Sequence, residues 1–359
     1  MVPFMVPMRV QSDWRCGLPM NRGLAKARTT NAVASVRRPG FNRFWRARFP
    51  SPSRAFHHLL LPALLILLLA GCRSEPGAEV VIYTSQDQVY SESILREFTA
   101  ETGIRALVVH DSEAVKTVGL ANRLLAESAH PRCDVFWSNE EMRTRQLVAK
   151  GVLEAEGWNA FGYRSRRLVL NTNLIPATSA PADWIDLTNR MWRGKVAMAY
   201  PMFGTTATHF HALRQAWGAE RWEAWCRALA ANEPIVVDGN SVVVRMVGSG
   251  RASVGMTDSD DIAAGQREGL PLRALPLTTA SLLIPNTVAL VHGGPHPEAA
   301  QRLADYLLEP RIAGRLVEVH ALEGAERHPP SVAVLNPDWD GLLRDLETTS
   351  KQLESIFLR

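Results

Sequence analysis

The chain has 359 residues, 46% of them hydrophobic and 21% charged, with a formal net charge of +4. That length exceeds what one compact core usually holds, so one large or two lobes are expected. Residues 1–71 hold eleven Lys or Arg and one acid, Asp13, a net +10 that leaves −6 on residues 72–359, so the basic balance belongs to the leader and nucleic-acid binding is not inferred.

Residues 1–53 are rich in Arg, Pro and Ser and lack a sustained apolar period. They read as a basic leader, and a translation start set too far upstream accounts for its length. Residues 54–71 carry the apolar run Leu59–Ala70. It is too short to span a bilayer and right for the core of a signal peptide. The alternative is a buried helix. The run closes on Leu69-Ala70-Gly71-Cys72.

Strands and helices then alternate. Glu79–Tyr83 reads as a buried strand and Val89–Glu101 as a helix stopped by Gly103. Ile104–Val109 is a strand, Glu113–Glu127 a helix, Asp134–Trp137 a strand and Glu140–Lys150 a helix. This rhythm predicts a mostly parallel sheet covered on both faces. Leu168–Leu170 and Lys195–Tyr200 are strands; Thr205–Trp217 and Ala219–Ala231 are helices. Ile235–Val237 is a strand. Ser241–Val247 is ambiguous, with a valine run that favours strand and Asn240 as a good helix cap. Ala252–Met256 is a strand, Ser259–Glu268 a helix, Leu282–Val291 strongly apolar, and Pro297–Leu308 a helix before Pro310. Cys226 shares a helical face with Trp222, Trp225 and Leu229, so it is expected in a core; a disulfide with Cys133 stays open.

In sheets of this kind ligands collect beyond the carboxyl ends of strands. Those ends offer Thr84, Ser85, Gln86 and Asp87; then Ser138, Asn139 and Glu140; then Gly204, Thr205 and Thr206; then Asp238, Gly239, Asn240 and Ser241; and last Asp258, Asp260 and Asp261. Gly204-Thr205-Thr206 at a helix start suits an oxyanion, and ordinary capping explains the same residues. Asn240-Ser241 has the same two readings. The three aspartates fit a helix capped by Asp258 with Asp260 and Asp261 facing its dipole. They also fit a site for a hard cation or an ammonium, with oxygens added by Gln86, Asp87, Asn139 and Glu140. His209 and His211 lie two apart on a helix and cannot chelate one ion. No H-E-x-x-H, G-x-S-x-G, P-loop or paired C-x-x-C occurs.

The segments VVIYTSQDQVYSESILREFTAETGI, CDVFWSNEEM, YRSRRLVLNTNL, RGKVAM, DGNSVVVRMV and IPNTVALVHGGPHPEAAQRLADYLL, in this order, resemble the solute-binding proteins of bacterial ABC importers, and among them the ferric-ion-binding group. Leu69–Cys72 resembles a lipobox, which implies cleavage before Cys72 and its lipidation. The resemblance implies an α/β, two-lobe type II periplasmic-binding fold with a strand hinge and an interlobe cleft. Lobe I would be 78–172 with 286–325, and lobe II 173–285 with 326–359. The hinge would use Leu170–Thr172 and Ile284–Asn286, which separates Cys133 from Cys226.

In ferric-binding relatives a group after the first strand, a Glu after the third and two adjacent Tyr grip the metal. Those positions fall here on Asp87, on Asn139 with Glu140 beside it, and on the pair Asp260 and Asp261, so the phenolates are missing. The relatives' anion pocket matches Gly204, Thr205 and Thr206 with Asn240 and Ser241. Arg164 and Arg166 match their Gly-Arg-Ser-Arg segment, with Tyr163 in place of the Gly; a guanidinium there suits an oxyanion. The expectation is a monomeric, lipid-anchored, extracytoplasmic receptor that serves an ABC permease and ATPase and has no enzymatic activity and no obligatory cofactor. Its cargo would be an iron-type metal ion with phosphate or carbonate, or an organic phosphate, phosphonate or zwitterion. A metal-dependent hydrolase and a receptor-docking sensor are the rivals from other classes.

Overall fold

The structure, a computed structural model, describes residues 78–111, 118–326 and 333–358. The leader, the signal segment, Cys72 and the start of the expected helix at Glu113 lie outside the described residues. Nine strands and ten α-helices form among those that are described.

The first region holds β1 (Glu79–Thr84), α1 (Gln88–Thr102), β2 (Arg105–His110), α2 (Val118–Ala126), β3 (Val135–Ser138) and α3 (Glu141–Ala149). β1 pairs in parallel with β2 and β3, as the alternation predicts. The second region holds β5 (Val196–Ala199), α4 (Gly204–Trp217), α5 (Ala219–Ala231), β6 (Ile235–Val237), α6 (Asn240–Gly248), β7 (Val254–Asp258) and α7 (Ser259–Arg267). β5 pairs in parallel with β6 and β7. The ambiguous valine run is thus helical. Its buried face, Val243, Val244 and Val247, has the three-to-four spacing of a helix, and that burial overrides the β propensity of valine.

One strand joins the two regions. β4 (Leu153–Asn171) pairs antiparallel with β9 (Leu283–Val291) as far as Ser165. From Arg166 onward it pairs with β7, and with β8 (Leu272–Ala274). β9 also pairs with β3, which gives the order β2-β1-β3-β9-β4-β7-β5-β6. The sequence shows only Leu168–Leu170 of this 19-residue strand because the rest mixes polar and apolar residues and breaks register twice. Gly162 sits at the second break with φ +55°, a conformation that favours glycine.

Each half carries apolar packing on both sheet faces. Val80, Ile82, Phe98 and Trp137 centre one cluster of the first half, with Phe136, Leu124 and Leu147 behind the sheet. Met198, Phe210, Trp222 and Trp225 centre the second half, with Val169, Val243 and Ile262 behind. Cys226 lies in the Trp222–Trp225 cluster as expected, and Cys133 and Cys226 are both buried free thiols. Three elements follow β9: α8 (Pro297–Leu307), α9 (Pro310–Glu318) and α10 (Trp339–Phe357). Pro310 ends the reach of α8 and also opens α9, where a first-turn proline loses no hydrogen bond. α10 packs on α4 and α5 and also on α3. Its Trp339 and the Trp158 of β4 both lie against the guanidinium of Arg145, at 5.4 and 5.0 Å.

α4 buries two histidines. His209 Nε2 lies 2.7 Å from the Ala280 carbonyl oxygen, and its ring meets Trp184 edge-on. Burial, then the nearby Arg166, lowers its pKa from 6.5 to about 3. Burial, then Arg143 and Arg214, lowers His211 to about 3. The unfolded chain therefore takes up these protons first as pH falls. Stability is expected to be intact above pH 6.5 and to drop as pH falls toward 3, by up to about 1.4 kcal/mol per pH unit for each histidine. Urea melts across this range check it, and His211→Gln should flatten the slope.

Candidate functional site

Three helices of the second region start where its parallel strands end. β5 leads to α4, β6 to α6 and β7 to α7. Their N-termini and the segment after β3 surround one pocket. Asn139, Arg164, Gly204, Thr205, Thr206, Asn240, Asp258 and Asp261 line it, joined by Ala199, Tyr200, Phe203, Asp238 and Gly239. Its free volume is about 30 Å³, room for an ion or one or two waters, so a larger solute requires the lobes to part.

Asp258 and Asp261 line this pocket, and Asp260 is buried beside it against Arg164. Asp258 is 1% exposed and Asp260 4%. What faces them is arginine. Arg166, 0% exposed, donates from Nη1 to Asp258 Oδ1 at 2.7 Å and to Asn240 Oδ1 at 2.9 Å. Arg164, 4% exposed, donates from Nη1 to Asp260 Oδ2 at 2.6 Å and from Nη2 to the Asn139 carbonyl at 3.0 Å. Its Nη1 also stands 3.6 Å from Asp258 Oδ2. Burial works against the charge of Arg164, but Asp260, Asp258 and Asp261 outweigh it and raise its pKa. Burial likewise opposes ionisation of Asp258, and Arg166 and Arg164 overcome it and hold the carboxyl below its usual range.

Of the two expectations for Asp258, one made it the cap of α7 and the other a ligand-binding group. It occupies the cap position but makes no capping bond. Its carboxylate turns to the pocket instead, accepting from Thr205 Oγ1 at 2.6 Å, Asn240 Nδ2 at 3.1 Å and Arg166. One carboxylate thereby ties together the starts of α4 and α6 and the middle of β4. Asp260 and Asp261 occupy the first turn of α7, as a capped helix would have them. Oxygens of all three aspartates lie within 4.8 Å of one another.

The starts of α4 and α6 carry no side-chain cap. Gly204 opens α4 with φ +53°, which a residue with a Cβ adopts only under strain. Thr206 Oγ1 reaches Asn240 Oδ1 at 3.4 Å, and Asn240 Nδ2 donates to Thr205 Oγ1 at 3.1 Å. Arg164 completes the wall, and its buried Nε has no hydrogen-bond partner among the described residues. Helix N-termini and a guanidinium together make a positive, donor-rich surface.

Other expected residues sit beside the pocket. Glu140 is fully buried as the N-cap of α3, accepting from Met142 N at 2.8 Å and Arg143 N at 3.0 Å, and Thr208 of α4 donates to it at 3.0 Å. It is therefore a cap and a tie to α4, and its carboxylate is not part of the pocket wall. Burial raises the pKa of Glu140. Gln86 Oε1 accepts from Asn286 Nδ2 at 3.1 Å, and Asn139 N donates to Ser85 Oγ at 2.9 Å. Asp87 precedes α1 without a capping bond. Ser241 follows Asn240 in the first turn of α6. Tyr200, Phe203 and Thr208 were missed, since single aromatic and hydroxyl residues carry no spacing that marks a cleft.

Two α/β halves that share one through-strand, with a polar cleft at helix N-termini, define a two-lobed solute receptor of the type II periplasmic-binding fold. The family model of bacterial extracellular solute-binding proteins matches residues 79–318. The chain belongs to that family, whose members are extracytoplasmic receptors of ABC-type import. No curated protein matches the chain in sequence. Among solved structures, iron-bound HitA from Pseudomonas aeruginosa is 18% identical with a TM-score of 0.68, covering 77% of this chain and 99% of its own. The ferric binding protein of Campylobacter jejuni is 15% identical with a TM-score of 0.66, covering 77% and 99%. AfuA from Actinobacillus pleuropneumoniae, with fructose-6-phosphate bound, is 17% identical with a TM-score of 0.66, covering 78% and 99%.

Proposed function

We propose that this receptor captures an organic solute bearing a phosphate-type oxyanion. One observation carries the reading. Arg164, with a buried Nε that has no hydrogen-bond partner among the described residues, stands in the same wall as two helix N-termini without side-chain caps, while two of the three acids that would attract a cation, Asp258 and Asp260, are already bonded to arginine. In this reading Gly204, Thr205, Thr206, Asn240 and Ser241 hold the oxyanion with Arg164. Asn139, Gln86 and Asp87 face the rest of the solute from the other lobe. The fold shared with the fructose-6-phosphate-bound AfuA supports the same class of cargo.

We place the lobe boundary where β4 changes partners, so that lobe I is 78–165 with 283–325 and lobe II 166–282 with the C-terminal helix. Cys72 anchors the mature protein by lipid, and the receptor hands its solute to an ABC permease and ATPase as a monomer, without catalysis.

A second reading keeps the metal. The aspartate oxygens within 4.8 Å of one another, and the iron-bound HitA fold, favour an iron-type ion held by Asp260 and Asp261 with phosphate or carbonate alongside. It requires the ion to displace Arg164 from Asp260. Calorimetry with fructose 6-phosphate as probe, and elemental analysis of protein purified natively from its host, separate the two. The expected result is one monoester bound per chain and no retained iron. One iron per chain with no monoester binding overturns the oxyanion reading.

A further inference from the structure

α7 is a wall shared by two hollows. Asp261 in its first turn lines the solute pocket, and Ile262, Ala263 and Gln266 on its other face border a groove of about 660 Å³. β4 divides in the same way, with Arg164 turned to the pocket and Tyr163 to the groove, as the two-residue alternation of a strand requires. The far bank of the groove is lobe I, at Val317 and Leu322. Elsewhere the lobes are packed together: α10 lies on α3 and α4, and Thr208 donates to Glu140 at 3.0 Å with both side chains fully buried. On the groove flank two arginines of lobe II make the bridge instead. Arg167 lies 2.8 Å from Glu323, beside the strand that joins the lobes. Arg267, the last residue of α7, reaches farther. Its Nη1 donates to the Val319 carbonyl at 3.0 Å, at the end of α9, and its Nη2 to the Tyr90 hydroxyl at 3.1 Å, in the first turn of α1. One planar guanidinium thus grips two separate elements of lobe I.

We propose that Arg267 is a positioning residue for capture: a clasp outside the solute pocket that biases the lobes toward closure and slows release of the cargo. The inference goes beyond the choice of cargo and holds for an oxyanion or a metal alike. Both partners of the clasp are neutral groups, so it favours the closed state by the same amount whatever lies between the lobes. Because the closed state is the one that retains solute, apparent affinity follows its population. α7 is only nine residues long, about 13 Å. A hold on its last residue therefore fixes where its first turn, with Asp260 and Asp261, stands against Arg164. Arg267 and its partners are exposed or half-buried, unlike the packed flank, so the clasp is the contact that parts first when the lobes open.

The test uses the mature protein with Arg267→Ala and Tyr90→Phe, and reads lobe separation and release rate. Spin labels on Ala100→Cys of α1 and Ser249→Cys at the end of α6, both exposed, report the distance between lobes by pulsed electron resonance without any solute. The native thiols Cys133 and Cys226 are buried and stay unlabelled. The short-distance population is expected to shrink in Tyr90→Phe and to shrink further in Arg267→Ala. Stopped-flow release of fructose 6-phosphate should quicken by about 5- to 10-fold in Arg267→Ala, for two lost exposed hydrogen bonds. Tyr90→Phe removes one bond and no charge, so release should quicken by about 3-fold with an unchanged capture rate. An unchanged melting temperature shows that the fold is kept. Superimposable distance distributions in the native protein and Arg267→Ala, or an unchanged release rate, overturn the inference. Failure of the native receptor to bind fructose 6-phosphate removes the oxyanion reading separately, and the solute-free distances then decide on Arg267.

Discussion

Asp258→Ala is expected to be the most destabilising single substitution in the cleft. Arg166 is 0% exposed, and its ion-pair partner among the described residues is Asp258. Truncating that partner leaves a buried charge uncompensated, which typically costs about 3–5 kcal/mol. Thr205 and Asn240 lose an acceptor at the same time. For a chain of this size the loss lowers the melting temperature by roughly 10 °C. Asp258→Asn keeps the shape and two hydrogen-bond partners, so its loss should be smaller. The double variant Asp258→Ala/Arg166→Met removes both charges and fills the space with an apolar side chain, so it should recover most of the stability. Thermal melts of the four proteins check this. A drop below about 2 °C for Asp258→Ala would mean that Arg166 is solvated or repaired elsewhere, and the hub role would fall.

The same pair shows what a sequence can and cannot disclose. The parallel triplets β2-β1-β3 and β6-β5-β7 were legible because their strands are short apolar runs between turn residues. The helices around Leu95, Leu213 and Leu229 were legible from three-to-four spacing. β4 was not. Tyr163-Arg164-Ser165-Arg166-Arg167 was placed by the resemblance alone, with no strand assigned to it, yet Arg164, Ser165 and Arg166 are buried in mid-strand. Burial of arginine depends on partners about ninety residues away, Asp258 and Asp260, and no local pattern announces such pairing. Nine of the thirteen residues that line the pocket were among those taken from the ends of strands, and Arg164 came from the resemblance. Their roles were harder to read. Asp258 was expected to cap its own helix or to meet a ligand; it makes no capping bond, and from the pocket wall it organises two neighbouring helix starts. Glu140 was expected to face the cleft, and it caps α3 with its carboxylate buried.

Arg164→Ala is expected to abolish capture of a phosphate monoester, and its sign decides between the two cargoes. Arg164, Arg166, Asp258, Asp260 and Asp261 together carry a formal charge of −1, from two guanidinium groups and three carboxylates. Removing Arg164 takes the group to −2 and strips Asp260, 4% exposed, of its 2.6 Å partner. An oxyanion then loses one or two charge-assisted hydrogen bonds, each worth about 1.5–3 kcal/mol, and gains repulsion. Affinity for fructose 6-phosphate should fall by about 100-fold or more. Arg164→Lys returns the charge without the planar fork, so it should restore part of the loss only. For a metal ion the direction reverses, because the same substitution takes one cation from Asp260 and makes the site more negative, so ferric or divalent ion binding should tighten. Titrating Arg164→Ala with fructose 6-phosphate and with ferric citrate reads both directions in one variant. Weaker monoester binding with no gain for metal supports the oxyanion receptor, and tighter metal binding with unchanged monoester affinity would establish the metal carrier in its place.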